Sequence, residues 1–84
     1  MFLHLGGGIV VPAEEVLFIL DLKSARAAKV TQTFVDNLEK EGLITRVEDG
    51  EPKSLTVTDD QAFYSPISAL TLRNRLGVSL TPLK

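Results

Sequence analysis

The stretch LITRVEDGEPKSLTVTDDQAFYS, residues 43–65, decides the fold. Inside it Leu55 and Val57 alternate with Thr56 and Thr58. That two-residue period predicts a strand over 54–58 with the leucine and valine facing a core and the threonines facing outward. Residues 43–47, LITRV, are read as a second strand, and the turn EDGEP, residues 48–52, is placed to fold the two strands into a β-hairpin. Asp59 and Asp60 then turn the chain into a further strand around residues 62–64.

On the N-terminal side of this stretch, residues 24–41 carry the clearest helical pattern. Ser24 is placed as N-cap, and Ala27, Val30, Phe34 and Leu38, helped by Val35, recur at three- and four-residue spacings that make one apolar stripe. Gly42 follows as a left-handed C-terminal cap. On the C-terminal side, SPISALTLRNRL, residues 65–76, predicts a shorter amphipathic helix. Ser65 or Ser68 caps it, Ile67, Leu72 and Leu76 with Leu70 form its apolar side, and Gly77 ends it.

At the start of the chain, residues 2–5 and 9–11 are short apolar runs separated by Gly6, Gly7 and Gly8. Glycines take positive φ without steric cost, so a tight strand-turn-strand is expected, with room for a neighbouring subunit's backbone. Residues 15–22, EVLFILDL, are almost wholly apolar and short for a helix, which predicts a central strand buried on both faces. The sum is an α+β fold: a small mixed or antiparallel β-sheet with one long and one short helix, a single domain over residues 1–77 and a frayed tail over 78–84.

Composition narrows the function. Apolar residues make up 44% of the 84, and with no Trp, four Phe and one Tyr the core must be largely aliphatic. There is no cysteine, hence no disulfide or thiolate metal site, and no apolar run long enough for a membrane span, which together suggest a cytoplasmic protein. The net charge of −2 disfavours indiscriminate attraction to nucleic acid. The charges are segregated, however: residues 1–22 carry −3, 23–35 carry +3, 36–60 carry −5 and 61–84 carry +3. Lys23, Arg26 and Lys29 lie at the start of the long helix, where its dipole disfavours cations, so a purely stabilising role suits them poorly.

Catalysis finds little support. The glycine run leads into apolar residues and Pro12, not into the helix a phosphate loop requires. His4, the only histidine, is expected to be a structural residue of an apolar strand. Glu14 and Glu15, adjacent on a strand, would point to opposite faces, and no cluster has metal-ligand spacing. No catalytic residue, metal or cofactor is assigned. Arg73 and Arg75, two apart on a helix, diverge by about 200° and cannot form a single clamp.

FLHLGGGIVVPAEEVLFILDL (residues 2–22), DGEPKSLTVT (49–58) and FYSPISALTLRNRL (63–76), in this order and spacing, resemble the RemB-like branch of the small bacterial extracellular-matrix regulators of the RemA/RemB type. The Pro-Lys-Ser of 52–54 and the Tyr-Ser-Pro of 64–66 are the most specific pieces. The resemblance implies a closed, heptamer-like ring of identical subunits and DNA binding around it. It also implies a departure: where RemA-like members carry DNA-contacting arginines, this chain has Glu15, and Glu51 followed by Pro52. DNA contact is therefore assigned to Lys53, Arg73 and Arg75 and to the patch Lys23, Arg26 and Lys29. The alternative is an oligomeric module without DNA binding, which docks a protein partner such as a RemA-like paralogue through Glu48, Asp49 and Glu51.

Overall fold

The computed structural model describes residues 1–77, so the expected tail lies outside the described residues. Its elements are β1 (Phe2–Gly6), β2 (Ile9–Pro12), a 3₁₀ turn (Ala13–Glu15), β3 (Val16–Asp21), α1 (Leu22–Ala27), α2 (Lys29–Lys40), β4 (Ile44–Arg46), β5 (Ser54–Thr58), β6 (Ala62–Ser65) and α3 (Ala69–Leu76). The α+β class is as expected. The pairing differs from expectation.

β1 and β2 form an antiparallel hairpin, and the other strands form one sheet in the order β3-β5-β6-β4. β5 runs antiparallel to both β3 and β6, whereas β4 runs parallel to β6. The expected hairpin between β4 and β5 therefore does not exist, because β6 lies between them. Locality explains the choice: Asp59 and Asp60 close a tight β5–β6 turn, in which the Thr58 N–H donates to the Gln61 carbonyl at 2.8 Å. β4, at the end of the longer 47–53 connection, takes the free edge of β6.

Every residue of β5 is buried. On one face Leu55 and Val57 pack with Leu22, Val35 and Ala62 beneath α1 and α2. On the other, Leu3, Leu5, Val11, Phe63 and Leu72 form a second cluster, contributed by the β1–β2 hairpin, β6 and α3. Thr56 pairs in register with Phe63, so it does not face solvent, and its hydroxyl is buried without a hydrogen-bond partner among the described residues. The threonines were expected outside because alternation alone does not reveal that both faces are covered.

β3 reverses that error. It is an edge strand, not a central one, and leaves Leu17 60% and Phe18 41% exposed. It also begins at Val16, with Glu14 and Glu15 exposed in the 3₁₀ turn rather than on a strand. His4, between the buried Leu3 and Leu5, presents its side chain to solvent instead of the core.

The single long helix is broken at Ala28, whose φ of −108° and ψ of 116° are extended. At 3.6 residues per turn Leu22 and Val35 would lie about 140° apart around the axis of one straight helix. Both belong to the same buried cluster, which a break satisfies and a straight rod would not. The expected stripe shifts accordingly: Val35 is buried, Leu38 is half-buried, Ala27 and Val30 are exposed, and Phe34 lies against Phe18 with ring centroids 6.0 Å apart. The C-terminus of α2 follows expectation. Gly42 has φ of +72°, and the N–H groups of Gly42 and Leu43 donate to the Glu39 and Leu38 carbonyls, each at 3.0 Å, the paired bonds of a Schellman cap.

The glycine turn is a close approach within this chain. Gly7 has φ of +56°, its N–H donates to Glu48 Oε2 at 2.8 Å, and a Cβ there would overlap the Val47 carbonyl oxygen. The backbone packed against it is that of the 47–53 loop.

A cationic groove as the candidate functional site

Asp21, not Ser24, caps α1. One carboxylate oxygen accepts from the Lys23 N–H at 3.1 Å and the other from the Ser24 hydroxyl at 3.3 Å. The helix thus starts at Leu22 and carries Lys23 and Arg26 three residues apart, on neighbouring positions of one surface.

Lys53 is fixed by its backbone. Its N–H donates to the Ser65 carbonyl at 2.8 Å, and its carbonyl accepts from the Leu22 N–H at 3.1 Å. Beside it Ser54 and Ser65 are cross-strand partners, both fully buried. The Ser54 hydroxyl donates to the Ile67 carbonyl at 2.7 Å. That of Ser65 donates to the Leu5 carbonyl at 2.6 Å and accepts from the Ile67 N–H at 3.0 Å. The two serines satisfy backbone groups that would otherwise be buried unpaired, and so hold the segment that enters α3. Ser68 then caps α3, accepting from the Thr71 N–H at 3.2 Å. The Pro-Lys-Ser and Tyr-Ser-Pro pieces of the sequence are thus two halves of one clamp.

The clamp brings together cations from three separated segments. Lys23, Arg26, Lys53 and Arg73 line an open groove of about 620 Å³ between α1 and α3. Leu22, Pro52, Ala69 and Leu70 supply its apolar lining. Two acids share it. Asp21 is engaged as the α1 cap, and Glu51 lies 3.7 Å from Arg26. Both members of that pair are largely exposed, so their attraction is worth only about 1 kcal/mol or less.

The remaining two assigned cations lie elsewhere. Lys29 opens α2 beyond the break, and the Arg75 guanidinium donates to the His4 carbonyl at 3.3 Å, tying α3 to β1. Arg73 and Arg75 diverge as their spacing requires. The break also changes the dipole reading: Arg26 lies in the last turn of α1, where a cation is favoured.

Residues 2–76 match the family described as extracellular matrix regulatory protein A-like, RemA-like. The chain belongs to the RemA-like family. It is 35% identical over 75 residues to extracellular matrix regulatory protein B of Bacillus subtilis (strain 168), an overlap that covers 89% of each chain. The names of the RemA-like family and of this relative describe regulation, not catalysis.

Other features of this RemA-like chain bear on function. Of the acids in the 48–51 turn, Glu48 accepts from Gly7 and Glu51 faces Arg26, so two of the three assigned to a docking edge have partners within the chain. Leu17, Phe18, Phe34 and Leu43 border a second depression of about 340 Å³ beside the β3 edge, all four exposed. Tyr64 donates to Glu39 at 3.2 Å beneath the Arg46 guanidinium, and burial, then the Glu39 carboxylate, raise its phenol above the usual range. Among the described residues no helix is long and apolar enough to cross a membrane, and no three potential metal ligands cluster. Sequence reasoning missed Leu70 as a groove residue. Counted with the apolar side of α3, it is 65% exposed, and its place two residues from the buried Leu72 was the available signal.

Proposed function

We propose that this chain is a cytoplasmic regulator of extracellular-matrix production that binds DNA backbone through Lys23, Arg26, Lys53 and Arg73, presented repeatedly by a ring of identical subunits. The observation that carries the reading is the convergence of these four cations on one groove of a chain whose net charge is −2. One groove offers a modest local excess of positive charge, because Asp21 and Glu51 share it. Repetition around a ring turns individually weak phosphate contacts into useful avidity. The exposed apolar border of β3 and α2 is the surface such assembly would cover. The family and the matrix-regulatory relative supply the biological setting.

The test is a titration of promoter-length duplex at several salt concentrations. Binding should weaken with salt, and Arg73→Glu should lower affinity across sequences and reduce the slope of log K against log salt by about one or more per engaged subunit. Arg75→Glu should change the slope little. No binding at low salt, or equal losses from the two reversals, would overturn the placement of DNA in the groove. The charge of Glu51 at the groove favours a second reading, co-assembly with a RemA-like paralogue that itself contacts DNA. In that case duplex binding would appear only in the mixture.

A further inference from the structure

The groove has a feature that a contact to phosphodiester backbone leaves unused. Its cations surround an apolar lining in which Leu22 and Ala69 are buried, Pro52 is half-buried and Leu70 remains 65% exposed. A leucine held in water beside four cations has no role in gripping phosphate. It would cover a flat, weakly polar ring. The groove's volume of about 620 Å³ falls within the range of about 300–1,000 Å³ typical of small-molecule sites.

We infer that the groove binds a free nucleoside diphosphate, with the base against Pro52 and Leu70 and the phosphates between Lys53, Arg73 and Arg26. This rests on the reading that the groove engages phosphate, and it adds regulation of that same surface: bound nucleotide and duplex compete for the same cations. Charge complementarity selects the ligand class. The four cations exceed the two acids, Asp21 has both carboxylate oxygens engaged at the α1 cap, and the exposed Glu51 can be displaced from Arg26 by an incoming phosphate. The backbone of Lys53 is placed before any ligand arrives, bonded on both sides to α1 and β6, so only its side chain has to be ordered on binding.

Calorimetric titration of the full chain with ADP, GDP, adenosine and pyrophosphate at low salt tests the inference. ADP or GDP should bind about tenfold or more tightly than either adenosine or pyrophosphate, since each of those lacks half of the complement. Arg73→Glu should weaken nucleotide binding about tenfold. Leu70→Ser, at an exposed position that spares the fold, should weaken ADP severalfold and leave pyrophosphate unchanged, while Glu51→Gln should tighten ADP. Pyrophosphate binding as tightly as ADP, or no nucleotide binding up to about 10 mM, a level at which even weak specific sites fill, overturns the inference. A parallel duplex titration separates the two readings. Duplex binding that ADP never displaces, with no ADP heat, sinks the nucleotide site alone. ADP binding without any duplex binding supports the site and sinks the DNA reading alone.

Discussion

β5 and β3 are hydrogen-bonded neighbours in one sheet, yet the more polar strand is the better buried. SLTVT hides all five residues, whereas VLFILD exposes Leu17 and Phe18. Position in the sheet outweighs composition. A central strand is covered by whatever packs on its two faces, and an edge strand is covered only if something is added to it. The polar side chains of β5 are tolerated where they find partners, as Ser54 does, and Thr56 shows the exception.

This contrast can be broken by substitution. Leu55→Ala, in the filled cluster under α1 and α2, should cost about 3 kcal/mol in chemical denaturation, the usual result of opening a cavity in a packed core. A loss below about 1 kcal/mol would mean that the face collapses easily and that β5 is less central than its burial implies. Ser65→Ala removes a hydroxyl that serves both the Leu5 carbonyl and the Ile67 N–H, and should cost about 2 kcal/mol. It should also alter exchange protection in β1 and at the entry to α3. Thr56→Val goes the other way: it replaces an unpaired buried hydroxyl by a methyl and should stabilise by about 1 kcal/mol, while destabilisation would reveal a partner for the hydroxyl. Leu17→Ser on β3 should change monomer stability by less than about 0.5 kcal/mol, as surface changes do, but under the proposed ring assembly it should lower the mass seen by light scattering. If the mass is unchanged and the assembly intact, the β3 border is not where copies meet.

Much of the local structure was legible because its causes are local. The turn at Asp59–Asp60, the Gly42 cap and the Ser68 cap each depend on residues within a few positions of one another, whereas the Gly6–Gly8 turn was legible from its glycines although its close neighbour is the distant Val47. What escaped depends on distant partners. Nothing within 43–58 reveals that a later strand will insert between its two halves, and Ala28, an excellent helix former, gives no local reason to break. The groove was half legible for the same reason. The cations stood out as charge runs, but selecting Lys23, Arg26, Lys53 and Arg73 from six candidates required knowing that Lys53 is bonded to α1 and β6, while Arg75 reaches β1.

The insertion of β6 between β5 and β4 also limits what the sheet can complete during synthesis. Until residues 62–65 leave the ribosome, β4 has no neighbour to pair with, and the Leu5 carbonyl lacks its serine. The nascent chain can form its first hairpin and helices early, but the sheet closes only when its last strand arrives. Any delay that keeps that strand within the ribosome leaves β4 and the far edge of β5 unpaired and prone to aggregate.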